Sequence, residues 1–155
     1  MMTQNALTQA NIDQLRTAPI APQKMLIGSD WRSSQSEAVM EVISPIDGAA
    51  FTSIPSGSQA DVDAAVVAAR SSFERGVWRN MPPMARKAVL LRWADLIEAD
   101  TLALTVLGVR DNGTEIGMAE KAEAGSAIRS IRFYAEAIDK IYGEVAPTPS
   151  SHLGM

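Results

Sequence analysis

The 155-residue chain has no cysteine and a single histidine, His152. Without thiols there can be no disulfide, zinc–thiolate site, iron–sulfur ligation or cysteine nucleophile, and a lone histidine cannot form an HExxH pair. Aromatic residues make up only 5% of the sequence; Trp31, Trp78 and Trp93 stand apart with no basic run between them, so they read as packing anchors rather than stacking platforms. Positive charge is also scarce. Fourteen Lys and Arg face eighteen Asp and Glu for a net charge of -4, which argues against nucleic acid as a partner. No apolar run approaches the roughly 18 residues of a membrane span, the longest being Ala64–Ala69 and the interrupted Leu102–Val109, so no membrane partner is expected. Residues 1–25 lack both an apolar leader and an arginine-rich bias. They read as a flexible amino-terminal extension of a cytoplasmic protein, with a weak helical turn around Ile12 and Leu15.

What is present is an ordinary globular composition, 46% hydrophobic and 21% charged, at the length of one domain. Met25-Leu26-Ile27 runs through Gly28-Ser29-Asp30 into Trp31, a hairpin pattern. Val39–Ile43 stops at Ser44-Pro45, and Ala50–Ile54 stops at Pro55, because proline removes a ladder N–H and disfavours helix before it. The pattern predicts a small antiparallel β-meander. After Ser58 the apolar period becomes that of a helix, and four amphipathic helices are expected, giving an α+β fold. The first, Ser58–Glu74, carries Val62, Val66, Ala69 and Phe73 on one face and ends at Gly76. The second starts at Pro82-Pro83 and has an apolar stripe of Val89, Leu90, Trp93, Leu96 and Ile97 opposite a solvated Arg86, Lys87, Arg92 and Glu98. The third covers about Asp100–Val109. The last runs as one long helix from about Glu115 to Ile141, with a seam of Ile128, Ile131, Ala135, Ile138 and Tyr142. Beyond Gly143 two prolines enforce an extended segment.

Chemistry-bearing patterns are few. His152 beside Ser150 and Ser151 reads as a tail coincidence rather than a nucleophile and base. Glycines from Gly108 to Gly117 match no phosphate-binding loop, and the carboxylate pairs Asp61/Asp63 and Glu120/Glu123 suit helix dipoles or solvated faces. The cluster Arg110-Asp111-Asn112-Gly113-Thr114-Glu115 has two readings. It is either a capping sequence, with Gly113 as a left-handed stop and Thr114 leading the next helix, or a place where Asp111 meets strand carbonyls around a small cation.

The order of these features resembles a known family. Ile27-Gly28-Ser29-Asp30-Trp31, Val42-Ile43-Ser44-Pro45-Ile46-Asp47-Gly48, the run Ala60 to Arg70, Phe73 and Trp78, Pro82-Pro83 with Arg86, and Leu96-Ile97-Glu98 are collinear with the amino-terminal part of NAD(P)-dependent aldehyde dehydrogenases. Arg132 to Val145 is similar to the same stretch in γ-glutamyl-γ-aminobutyraldehyde dehydrogenase-like members. The resemblance covers about Leu26 to Met155.

It implies an oxidoreductase that converts an aldehyde to an acid through a thiohemiacetal, hydride transfer to NAD or NADP, and thioester hydrolysis. It implies also that this chain is an amino-terminal fragment without the Rossmann-type parallel sheet, the catalytic cysteine or the glutamate base. No catalytic or cofactor-binding residue is therefore expected in it, and neither activity nor NAD(P) binding by the chain alone. Residues 26–142 would belong to the cofactor-binding domain, and 143–155 would begin an extended oligomerisation segment of a homo-oligomer. The family's monovalent-cation site carries over to the carbonyls of Val42 and Ile43 and to Asp111, although Thr114-Glu115 stands where many members have Lys-Pro. The aldehyde-tunnel lining carries over to Ala122 and Ser126, small residues equally suited to close helix packing. Lacking the sheet on which the family packs these helices, the chain alone is expected to expose apolar surface and to aggregate or stay loosely packed. A free-standing helical interaction module, binding a partner helix along the seam Ile128–Tyr142, is the alternative.

Overall fold

The computed structural model describes residues 7–143. Helix α1 (Gln9–Thr17) starts on the Thr8 hydroxyl, which accepts from the Asn11 N–H at 3.3 Å. The amino-terminal region thus holds more than a weak turn. Its helix ends on a specific device: Arg110 donates to the carbonyls of Ala18 at 2.8 Å and Leu15 at 3.3 Å, taking up groups that a helix terminus leaves unpaired.

The expected meander resolves into two separate antiparallel ribbons. Strands β1 (Met25–Ile27) and β2 (Asp30–Arg32) pair around Gly28, whose φ of 66° supplies the tight turn. Strands β3 (Val39–Ile43) and β4 (Ala50–Pro55) form the second ribbon. Its register breaks where Val42 faces Thr52 but Ile43 faces Ala50, leaving Phe51 as the extra residue of a bulge. The Phe51 ring lies 4.9 Å beneath the Arg110 guanidinium, so one arginine ties α1, the second ribbon and its own helix together.

Helix α2 (Gln59–Arg75) begins with a capping box of Ser58 and Asp61 and stops at Gly76 in the left-handed region. Helix α3 (Pro83–Ala99) has proline in its first turn, where a missing N–H costs nothing, and α4 (Thr101–Asn112) follows almost without a loop. The single long helix expected from 115 to 141 is instead α5 (Ile116–Ala122), a kink at Glu123 and α6 (Ala124–Ala137), continued by a 3-10 turn over Ile138–Lys140. Glu123 has φ -87° and ψ -90°, outside the helical region, and its carboxylate is drawn across to α4. The seam begins only at Ile128, beyond that point, so its periodicity carries no sign of the break.

Helices α3 and α6 make the most extensive helix pairing, and α4, α5 and α6 pack together beside it. The buried residues are small or medium: Ala94 of α3, Leu102 and Val106 of α4, Ala119 of α5, and Ala124, Ile128 and Ala135 of α6. Alanines at 94 and 135 let the α3 and α6 backbones approach closely. Polar pairs flank the interface. Lys87 donates to Glu136 at 2.7 Å, and Arg132 reaches Glu98 at 2.7 Å and Asp95 at 3.0 Å. The face of α3 turned to α6 is therefore the one carrying Lys87 and Ala94; of the expected apolar stripe Val89, Trp93 and Leu96 are exposed and Leu90 and Ile97 half-buried, while Arg92 and Glu98 are exposed as expected and Arg86 and Lys87 are not. Trp31, Trp78 and Trp93, expected as anchors, are all exposed.

Candidate functional site

A cleft of about 450 Å³ lies between the second ribbon, α4 and the segment that follows α1. Ile20, Val42, Phe51, Leu104 and Leu107 line it, and Asp111 brings the one carboxylate. The bulge in β4 contributes directly, because the register shift beside Val42 accompanies the placing of Phe51 in the wall. The structure thus brings Val42 and Asp111 together, whereas Ile43, about half exposed, stands outside the lining. Asp111 is exposed, in the last turn of α4, and its carboxylate makes no hydrogen bond or ion pair among the described residues. A cation there would complement a free carboxylate; it would not rescue a buried one. No cluster of three or more His, Cys, Asp or Glu that could hold a metal occurs among the described residues. Any ion would need backbone carbonyls as its remaining ligands.

The turn beside Asp111 shows how each capping residue is used. Gly113 has φ 75° and donates to Val109 O at 2.9 Å; a Cβ there would lie 3.1 Å from Pro45 Cγ, so the bend between α4 and α5 sits tightly on the β3–β4 loop. Asn112 works in both directions, its Oδ1 accepting from the Thr114 N–H at 2.8 Å and its Nδ2 donating to Glu123 Oε1 at 2.7 Å. Glu115, rather than Thr114, caps α5, accepting from the N–H groups of Gly117 and Met118 at 2.9 Å each. The Gly117 N–H, then that of Met118, holds the Glu115 carboxyl below its ordinary range. The Thr114-Glu115 sequence at this turn is accordingly a working helix start.

Ala122 and Ser126 fall on opposite sides of the kink, Ala122 as the exposed last residue of α5 and Ser126 half-buried in the first turn of α6. They do not share one continuous helix face. Between them, Glu123 packs so closely over Gly108 of α4 that a Cβ at position 108 would collide with its carboxylate. His152 and the segment after Gly143 lie outside the described residues.

Asp61 is the polar site that sequence reading undervalued. Taken for a dipole partner, it is 2% exposed and accepts from Ser34 Oγ at 2.7 Å, Ser58 Oγ at 2.7 Å, and the N–H groups of Ser58 at 2.8 Å and Gln35 at 3.1 Å. The Ser34 hydroxyl first, then the Ser58 donors, hold its carboxyl far below the usual range. Ser58 three residues before Asp61 signals the capping box, but nothing local announces Ser34, 27 positions upstream. This cluster fastens the β2–β3 loop to the start of α2 and lies away from the Asp111 cleft.

The chain belongs to the aldehyde dehydrogenase family, whose family model matches residues 31–155. The NADP/NAD-dependent aldehyde dehydrogenase PuuC of Escherichia coli K12 is 40% identical over 132 residues, covering 85% of this chain and 27% of that protein. Phenylacetaldehyde dehydrogenase of Pseudomonas fluorescens is 37% identical over 92% of the chain and 27% of its own length. Among solved structures, the γ-glutamyl-γ-aminobutyraldehyde dehydrogenase of Burkholderia cenocepacia J2315 superposes with a TM-score of 0.87 at 37% identity, over 92% of this chain and 29% of that one. A mutant of the indole-3-acetaldehyde dehydrogenase AldA of P. syringae, in complex with NAD+ and IAA, gives 0.89 at 32% identity, over 96% and 30%. The chain spans about a quarter of the length of the curated relatives it matches.

Proposed function

We propose that these residues are the amino-terminal part of an NAD(P)-dependent aldehyde dehydrogenase that oxidises an aldehyde to a carboxylic acid, in the cytoplasm and as a homo-oligomer. The carrying observation is the superposition on the NAD+ complex over 96% of the chain. Bound nicotinamide would supply the hydride acceptor. The 155 residues hold no thiol to attack a carbonyl, so their part is to shape surroundings: α5 and α6 to border the aldehyde's path at Ala122 and Ser126, and α1 to α4 to support the cofactor-binding domain. On this reading residues 26–142 are that domain's beginning and 143–155 lead into the oligomerisation segment. Purified on its own, the chain should form no NADH or NADPH with any aldehyde and show no saturable NAD(P)+ binding. Saturable turnover would defeat the reading.

A monovalent cation at Asp111 with the carbonyls of Val42 and Ile43 belongs to the same proposal. It is supported by Asp111 and Val42 facing one cleft and by the carboxylate's lack of another partner among the described residues. Potassium should then raise the melting temperature above that in a bulky organic cation at equal ionic strength. Asp111→Ala should remove the difference; if the unaltered protein shows none, the site is not a cation site. The rival reading, a free-standing helical module gripping a partner along Ile128–Tyr142, loses support because Ile128 and Ala135 are already buried within the chain.

A further inference from the structure

The turn between α4 and α5 contains a reactive peptide bond. Of the four asparagines, Asn5, Asn11, Asn80 and Asn112, only Asn112 precedes a glycine. Glycine has no Cβ, so its nitrogen approaches the preceding side chain unhindered. Attack of the Gly113 nitrogen on Asn112 Cγ forms a ring C–N bond, breaks the bond from Cγ to Nδ2 and releases ammonia, which carries off the peptide proton. Water then opens the succinimide at either carbonyl, to aspartate or to isoaspartate. The sequence of steps consumes only water.

The folded protein holds each participant away from that reaction. The Gly113 N–H is engaged with Val109 O at 2.9 Å, Asn112 Oδ1 with the Thr114 N–H at 2.8 Å, and Asn112 Nδ2 with Glu123 at 2.7 Å. Asn112 is itself the last residue of α4, and a helical backbone does not bring the next nitrogen to Cγ. Yet the side chain is exposed, at a helix end where local opening is easiest. We propose that Asn112 is a spontaneous modification site gated by the fold: its amide is lost when the last turn of α4 opens, and the carboxylate left behind releases Glu123 from α4.

The second half follows from charge. The new anion would face the Glu123 carboxylate at hydrogen-bond distance with Asp111 and Glu115 close in sequence, while Arg110 is committed to Leu15 and Ala18. Glu123 sits over Gly108 and is itself the residue between α5 and α6, so repulsion there acts at the kink.

Incubation of the 155-residue protein at mildly alkaline pH, with and without urea, and peptide mapping for isoaspartate test the gate. In urea Asn112 should be modified before the other asparagines; without urea its loss should be roughly tenfold slower or more, and Glu123→Ala should raise only the native rate. Equal rates with and without urea, or a native rate indifferent to Glu123→Ala, would overturn the gate. For the consequence, Asn112→Asp should lower the melting temperature, and adding Glu123→Gln should restore it, because a carboxamide can donate to the new carboxylate. An unchanged melting temperature in Asn112→Asp, or failure of Glu123→Gln to restore it, would overturn the coupling.

Discussion

Helices α2 and α6 are both amphipathic, of 17 and 14 residues, and they use their apolar positions in opposite ways. In α6 the seam does what its spacing implies: Ile128 is 8% exposed, Ala135 is fully buried and Ile131 is half-buried. In α2 the same kind of stripe faces outward, with Val66 63% and Phe73 55% exposed. Position in the fold makes the difference. Helix α6 has helical neighbours within the 155 residues, whereas α2 touches mainly β1 and α3 offers its polar-flanked side to α6. An apolar face without a partner in a chain that spans about a quarter of its relatives fits the proposal that the remaining fold covers α2 and the outer side of α3.

The sharpest way to test this contrast is to delete the same chemistry from both helices. Ile128→Ala should cost about 2–5 kcal/mol, measured by urea unfolding, because it opens a cavity where the helices pack together. Val66→Ala should stay within about 0.5 kcal/mol, as expected of a side chain already in water. Comparable losses at the two positions would mean that α2 is covered after all.

Asp61 gives the next effect, since it ties the otherwise lightly held α2 to the β2–β3 loop. Its folded carboxyl lies below the ordinary value of 3.8, so its contribution is complete above that pH and drains away as pH falls through and below it. Asp61→Asn should lower the melting temperature at neutral pH and flatten its decline in acid; an unchanged acid limb would show that the serine cluster does not hold in solution. Smaller in energy, but visible in hydrodynamics, is the outer stripe. Val66→Glu with Trp93→Glu should reduce dye binding and concentration-dependent association, followed by sedimentation, with little change in unfolding midpoint. A small effect is also expected at Thr105, fully buried with its hydroxyl unpartnered among the described residues; Thr105→Val should be neutral or stabilising within about 1 kcal/mol in the same urea titration.

Sequence reading fared best where a local rule decides. Pro83 and Gly76 bound helices, Gly28 and Pro55 bound strands, and Gly113 stops α4, each by backbone stereochemistry that needs no distant partner. It fared worse where partners are remote. The outward stripe of α3 looks like a core face because hydrophobic spacing says which residues share a side, not which side is covered. Glu123 at the kink is bonded to Asn112, eleven positions earlier, and the end of α1 is held by Arg110, more than ninety positions later. Of the candidate site, the convergence of Val42 and Asp111 followed from collinear resemblance, while the exposure of Asp111 and the role of Glu115 as cap could be seen only once the helices had ends.

If these residues are one part of a dehydrogenase, as proposed, the outer faces of α2 and α3 are built to be covered. A chimera carrying these 155 residues in place of the matching segment of E. coli PuuC tests it most directly, read out as aldehyde-dependent formation of NADH or NADPH by the purified protein. A soluble oligomer with turnover comparable to that of PuuC itself is expected. A chimera that folds and binds NAD(P)+ yet oxidises no aldehyde, or one that exposes the same apolar surface as the isolated 155 residues, would contradict it.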